Sequence, residues 1–414
     1  MIGAGGREHA LAAAMARDCD TVVCPGNPGI EAAGLACTVQ APEAVSADLF
    51  VVGPEGPLVD GLADRLRACG RLVFGPGADG AQLEGSKAWM KDLLVEAGVP
   101  TAAHRSFDAT EEEAALAYLR QLSGPYVVKT DGLAAGKGVL VTAALDEAIE
   151  DVRAKLSGAA FGAAGLRVVI EEGLTGEELS VMAVCDGSRA VPLAAAQDFK
   201  RACDGDTGPN TGGMGAYSPL AWAGTSLVDE VMDQAVEPTL VALAKRDIDY
   251  RGVLYAGVMQ TAAGPRILEF NIRFGDPETQ VVLPRWEGDV AAVLAAAAEG
   301  DLRVAAPPRF RAEAAVCVVV AAEGYPASPR TGDVIEGLDG VDELEGVEVF
   351  CAGVAQAGDG RLRTAGGRVL GITALGPSVT AARDLAYQAA GLISWPGAQY
   401  RRDIAERASG RLPG

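Results

Sequence analysis

Residues 266–273 alternate, with Ile267, Phe270 and Ile272 apolar (Leu268 beside them) and Glu269, Asn271 and Arg273 polar. A period of two predicts a strand that sends those three polar side chains to one face. Gly275-Asp276-Pro277-Glu278 then breaks it, and residues 252–260 offer an apolar partner strand through a turn at Gly264-Pro265. Toward the amino terminus, residues 22–24, 49–52 and 72–74 are short apolar runs, each closing in a Pro/Gly turn. That is the pattern of buried strands in a parallel α/β sheet. Ser86 caps a helix over 87–97 that Gly98 ends, and Thr110-Glu111-Glu112-Glu113 reads as a capping box for a helix to about 121.

Strands are predicted over 126–129 and 139–142 around a glycine-rich tip, and 168–174 with 176–181 reads as a further hairpin. Residues 197–219 carry neither period; they predict a long functional loop, ordered because Met214 and Tyr217 would otherwise be exposed. A helix over 226–245 is expected to kink at Pro238. After a helix over 289–299, Pro307-Pro308 marks a boundary. Strands at 314–320, 347–354 and 368–374 and a helix from Ser378 to 390 then predict a small α+β domain without a catalytic constellation.

Composition narrows the classes. The net charge of −21 argues against nucleic acid or an anionic membrane surface as partner. Eight scattered cysteines, with no C-x-x-C pair, read as buried thiols in a reducing, cytoplasmic compartment. No signal peptide is visible and no apolar run is long enough to span a bilayer. With only His9 and His104 present, histidine-based catalysis has little choice.

Candidate chemistry follows the elements. A carboxylate, an amide oxygen and a guanidinium on one strand face suit a metal-bound polyphosphate, because hard cations take oxygen ligands and an arginine takes remaining phosphate charge. A solvated amphipathic strand is the ordinary alternative, but the abrupt turn brings Asp276 and Glu278 beside the same face. Gly3-Ala4-Gly5-Gly6-Arg7-Glu8-His9 opens a helix and reads as an anion site. It is not a dinucleotide fingerprint, because Glu8 stands where the third glycine belongs. Only Met1 and Ile2 precede it, which predicts a truncated first strand or a start upstream. Asn27 and Glu55 fall in strand-end turns, as candidate substrate contacts.

Between Thr130 and Gly138, the tip offers backbone donors at Gly132, Gly136 and Gly138 and a point charge at Lys137. It departs from a P-loop in its spacing and in Gly138, where a magnesium-binding hydroxyl would stand. Glu171, Glu172, Glu177 and Glu178 can accept hydrogen bonds from adenine and ribose.

Gly-Gly-Arg-Glu-His-Ala-Leu, Pro-Gly-Asn, Val-Gly-Pro-Glu, Leu-Glu-Gly-Ser-Lys, Asp-Gly-Leu-Ala-Ala-Gly-Lys-Gly, Asp-Thr-Gly-Pro-Asn-Thr-Gly-Gly-Met-Gly-Ala-Tyr and Leu-Glu-Phe-Asn-Ile-Arg-Phe-Gly-Asp-Pro-Glu-Thr-Gln occur in this order. Together they resemble the phosphoribosylamine–glycine ligases (glycinamide ribonucleotide synthetases) of the ATP-grasp superfamily over nearly the whole chain.

The resemblance implies an ATP-grasp fold (85–306, lid about 104–175) between a Rossmann-like parallel α/β domain (1–84) and a small α+β cap domain (307–414). It implies ligation of glycine to 5-phosphoribosylamine in purine biosynthesis, with ATP as substrate and Mg²⁺ or Mn²⁺ as cofactor. The implied intermediate is glycyl phosphate, in a monomer, with a dimer as the alternative.

On matching positions, Lys87 and Lys129 would reach the phosphates, with Lys137 in the lid. Glu171, Glu172 and the Leu174 backbone would hold adenine, Glu178 the ribose, and Glu269 and Asn271 the metal. Lys137 and Arg273 would neutralise charge in flight. Asp198, Lys200, Asn210, Thr211, Gly212, Gly213 and Asp276 would frame the acceptor site, and Gly5, Arg7, Glu8, Asn27 and Glu55 the phosphoribosylamine.

Phe199 departs from the histidine that many relatives carry, so no base is expected there. Residues 41–47 are also shorter than the usual helix before the Gly-Pro-Glu strand. Another carboxylate–amine ligase of the superfamily, or a non-catalytic ATP-binding protein, are the rival readings.

Overall fold

The structure, a computed structural model, describes residues 1–134, 138–160 and 165–410; the expectations for Gly136 and Lys137 lie outside these residues. The amino-terminal layer is parallel: β1 (Ile2–Gly3), β2 (Val22–Pro25) and β3 (Ala36–Cys37) pair in the order β1-β2-β3. β4 (Phe50–Val51) pairs with β5 (Val73–Phe74), and an Ile2–Val52 bridge joins the two sets. β1 is two residues long and runs into the first glycine of the turn. Residues 42–44 form a single 3-10 turn.

The helix Lys87–Ala97 begins at Ser86, whose side chain accepts from the Trp89 amide, and ends at Gly98 with a left-handed φ of 69°. Next, β6 (His104–Asp108), β7 (Tyr126–Thr130), β8 (Val139–Thr142) and β9 (Arg167–Glu172) form an antiparallel sheet in the order β6-β9-β7-β8. Two helices, Glu112–Leu119 and Leu145–Leu156, cover it through a small core around Phe107, Leu119, Val128 and Ile170. The cap of the first helical segment is not Thr110. Asp108 accepts from the Thr110 amide and Glu111 returns to the Asp108 amide, because the short Asp108 carboxylate reaches the free N–H groups first.

β10 (Glu177–Asp186) does not form a hairpin with β9. It pairs with β11 (Ala190–Pro192) and β16 (Arg251–Thr261), and β17 (Gly264–Asn271) completes the sheet in the order β11-β10-β16-β17. Gly173–Gly176 is therefore a crossover between two sheets. Nor are residues 197–219 a structureless loop. They contain β12 (Gln197–Asp198), the hairpin of β13 (Arg201–Cys203) and β14 (Thr207–Asn210), and β15 (Gly215–Ser218). Met214 and Tyr217 are buried, as their apolar bulk demands. The helix expected to kink at Pro238 instead carries a π turn over Met232–Val236, and Pro238 sits in the first turn of the segment that follows, where its missing N–H costs nothing.

A short pair, β18 (Trp286–Glu287) with β19 (Arg309–Phe310), flanks the helix Val290–Glu299. The carboxyl-terminal part supplies β20 (Ala314–Ala321), β21 (Val347–Cys351), β22 (Val354–Gln356) paired to β23 (Leu362–Thr364), and β24 (Arg368–Gly376). Its main sheet runs β12-β15-β20-β24-β21, so the central and carboxyl-terminal parts share one continuous sheet. The helix Val379–Ala390, capped by Ser378, packs on its face.

Candidate functional site

β17 follows its alternation except at Leu268: Ile267 and Phe270 are buried, while Leu268 joins Glu269, Asn271 and, just past the strand, Arg273 in lining a cavity of about 1050 Å³. Lys87, Lys129, Gly138, Glu172, Leu174 and Glu178 line it from the lid side, and Asp198, Lys200, Asn210, Thr211 and Gly212 from the opposite loop. Arg7, Glu55, Asp276 and Glu278 complete it from below.

Charge in this space is dense and interlocked. Burial alone would raise the Glu269 carboxyl, but Lys200, Lys129, Lys87 and Arg273 hold it below its ordinary value. Lys200 lies 3.0 Å from Glu178, and although burial works against it, Glu178, Asp198 and Glu269 keep its ammonium charged. Burial, opposed by Lys200 and reinforced by Glu278, Glu178 and Glu269, lifts Asp198 to about 7. Deeper still, Tyr255 donates to Glu278 at 2.5 Å, with Ser180 at 2.8 Å from the same hydroxyl.

Arg273 is more committed than a free phosphate ligand would be. It pairs with Glu84 at 2.9 Å and Glu55 at 3.3 Å, and donates to Asn271 Oδ1 at 3.2 Å. Burial notwithstanding, Glu84 and Glu55 keep it firmly cationic. It orients Asn271 and ties the parallel layer to the end of β17.

Several expected contacts resolve differently. Gly5, Glu8, Asn27, Gly132 and Gly213 do not line the cavity. The anion position at the first helix is filled by the chain's own Glu8, whose carboxylate accepts the Gly5 amide at 2.6 Å and lies against Gly3 and Gly53. Asn27 is spent as a helix cap, accepting from Gly29 and Ile30 and donating to the carbonyls of Ala4, Cys351 and Ala352.

The backbone of Gly213 has a φ of 111°, and a Cβ there would meet Pro277 at 2.4 Å; glycine lets the acceptor loop press against the turn after β17. Gly138 is required too, since a Cβ would meet the Thr130 hydroxyl at 2.0 Å. The Glu171 carboxylate lines the cavity but is already paired with two lysines, Lys91 at 3.0 Å and Lys129 at 2.9 Å. Asn210 reaches across to the Val139 carbonyl at 3.4 Å, joining the acceptor loop to the lid strand.

The residues that sequence reasoning missed are cations from outside the motifs. Arg368, at the start of β24, donates to the Gly212 and Asp276 carbonyls and pairs with the Asp276 carboxylate. Tyr325 donates nothing to Gly212 but accepts its amide at 3.0 Å. Arg401, buried, holds the β13–β14 hairpin through Asp206 and stacks over Phe199 at 5.0 Å. Lys91 carried a readable signal, a lysine among the buried Ala88, Met90, Leu93 and Leu94 of one helix; Arg368 and Arg401 carried none locally.

Family models cover each part of the chain. The N domain of phosphoribosylglycinamide synthetase matches residues 1–84, its ATP-grasp (A) domain 85–279 and its C domain 315–407. The chain belongs to the phosphoribosylglycinamide synthetase family. Among its curated relatives, the phosphoribosylamine–glycine ligases of Caulobacter vibrioides and Streptomyces coelicolor are each 49% identical to it. Both alignments cover 99% of this chain, with 97% and 99% of the respective relatives. The crystal structure of phosphoribosylamine–glycine ligase from Thermotoga maritima superposes with a TM-score of 0.84 at 35% identity, covering 98% of this chain and 99% of that one. A biotin carboxylase from Campylobacter jejuni, 13% identical with a TM-score of 0.70 over 96% of this chain and 92% of that one, shares the fold alone. The three-part architecture of this synthetase family is thus the one around which the cavity is built.

Proposed function

We propose that the cavity binds ATP, glycine and 5-phosphoribosylamine and joins the last two, giving glycinamide ribonucleotide, ADP and phosphate. The observation that carries this is the division of one cavity into two chemically distinct halves. The lid side presents Lys87, Lys129 and Gly138; the loop side presents Lys200, Thr211, Gly212 and, through Asp276, Arg368. A triphosphate suits the first half and a small carboxylate with a phosphorylated amine the second.

The Glu269 carboxylate, held ionised, and the Asn271 Oδ1 beside it form an oxygen pair suited to Mg²⁺ or Mn²⁺. Among the described residues no group of three or more His, Cys, Asp or Glu stands ready for a metal, which fits an ion that draws its remaining ligands from phosphate and water. Such an ion, when bound, screens phosphate charge and orients the γ-phosphoryl group.

The glycine carboxylate attacks that phosphorus, forming glycyl phosphate and releasing ADP; the amine then attacks the acyl carbon, and phosphate leaves. Lys87, Lys129 and Lys137 hold phosphate charge, and Lys200 orients the carboxylate that attacks. Asp198 takes the proton that the attacking amine sheds, and the lid keeps water from the acyl phosphate. No histidine is needed.

In this reading residues 1–84, 85–306 and 307–414 act as three units around one site, in a monomeric, cytoplasmic enzyme. No helix among the described residues is long and apolar enough to cross a membrane. ADP release measured with each substrate omitted in turn tests the proposal. Dependence on both glycine and phosphoribosylamine is expected; release that needs neither, or a different acid, would defeat it.

A further inference from the structure

One buried ion cluster beneath the lid half reaches behind the residues that line the cavity. Lys91 follows Lys87 by one helical turn, yet its side chain is fully buried and does not line the cavity. Its ammonium donates to Thr101 Oγ1 at 2.6 Å and to Glu171 Oε2 at 3.0 Å, and Thr101 donates on to the Ile267 carbonyl at 2.6 Å. The other Glu171 oxygen lies 2.9 Å from Lys129, which itself donates to the Leu268 carbonyl at 2.9 Å. Leu268 is bulged: the register steps from Gly257–Glu269 to Val258–Ile267, passing it over and leaving its carbonyl for Lys129.

Four elements therefore meet on one carboxylate: the helix Lys87–Ala97, β7, β9 and β17. A cavity lysine locked to a lone buried carboxylate would offer phosphate no net charge, since the pair sums to zero. Within this cluster two ammoniums sharing one carboxylate leave one positive charge over; Lys129 and Glu171 line the cavity, and Lys91 lies behind them.

We propose that Lys91 is a positioning residue that neutralises Glu171, so that Lys129 is held in place by that carboxylate and still presents uncompensated positive charge to the phosphates of a bound nucleoside triphosphate. Burial pushes Lys91 down to about 8 despite Glu171 beside it, the cost expected of a cation kept in the interior for its charge. The proposal rests on the ATP reading of the cavity. A purely structural ion pair would predict a different pattern of variants, because methionine and glutamine preserve shape while removing charge.

The test is titration of ATP with Mg²⁺ onto the intact wild type, Lys91→Met, Glu171→Gln and the double variant, alongside the KM for ATP and for glycine. Lys91→Met, left with a compensated Lys129, is expected to bind ATP about tenfold more weakly or worse, with the KM for glycine unchanged. The double variant returns to within about threefold of wild type, since Lys129 again stands uncompensated. Unchanged binding in Lys91→Met, or a double variant no better than Lys91→Met, overturns the proposal. Should Lys91→Met fail to fold, Glu171→Gln decides alone: with Lys129 freed of its counter-charge though less firmly held, it is expected to bind ATP within about threefold of wild type, and a loss of about tenfold or more overturns the proposal. A wild type that binds no ATP would instead defeat the functional reading.

Discussion

Arg368 and Asp276 face each other across the floor of the cavity at 2.8 Å, one from the first residue of β24 and the other from the turn after β17. The same guanidinium caps the Asp276 carbonyl at 2.7 Å, so an arginine from the carboxyl-terminal sheet fixes the turn that frames the acceptor half. The part of the chain expected to carry no site chemistry thus supplies one of its main cations.

Replacing Arg368 by methionine leaves Asp276 without its partner. Burial would raise Asp276, but Arg368 and Arg7 bring it below its ordinary 3.8, so its stabilisation is present at neutral pH and lost as pH falls through the folded value. Lys- and Arg-to-apolar changes at such pairs cost about 2 kcal/mol, and the expected loss at pH 7 is of that order. Thermal midpoints of variant and wild type should converge below pH 3.8. The KM for phosphoribosylamine should rise, while that for ATP stays near wild type.

Asp198 slopes the other way. Its folded value is raised to about 7, so between its ordinary 3.8 and 7 the native state holds a proton that the unfolded chain releases, and stability falls as pH rises through that window. Asp198→Asn removes the slope. Its thermal midpoint should exceed that of wild type at pH 7.5 and match it near pH 4, even as turnover drops.

Glu269→Ala and Lys137→Ala should each lower kcat/KM by about two orders of magnitude or more, because both groups act on charge that develops at the phosphates. Circular dichroism should show the fold intact. In Asn271→Ala the concentration of Mg²⁺ or Mn²⁺ needed for half-maximal rate should rise, since one of two oxygen donors is gone.

Phe199→His introduces the histidine that the resemblance leads one to expect, at a place where the ring packs 6.4 Å from Tyr217 and beneath Arg401. A neutral imidazole fits, so activity at pH 8 should stay near wild type. A protonated one would face the Arg401 guanidinium, so stability should fall by about 1 kcal/mol or more as pH drops below about 6.5. Chemical denaturation at pH 8 and pH 6 measures the difference.

The sequence by itself determined those features whose cause is local. Alternation placed Glu269 and Asn271 on one face of β17 with Arg273 just past its end, apolar runs with glycine turns marked the parallel strands, and Ser86 with Gly98 bounded a helix. Glycine-rich motifs identified the family because such long, unusual strings answer to chemistry rather than to packing. Tertiary structure decided what depends on partners distant in the chain. Strand pairing turned residues 197–218 from an aperiodic loop into edges of a shared sheet, since a two-residue strand has no period to read. Glu8 and Asn27 became internal braces, and Glu171 a counter-ion, because each found a donor before any ligand could. Arg368 joined the site across 92 positions of chain, a distance over which side-chain order carries no information and only folding brings charge to charge.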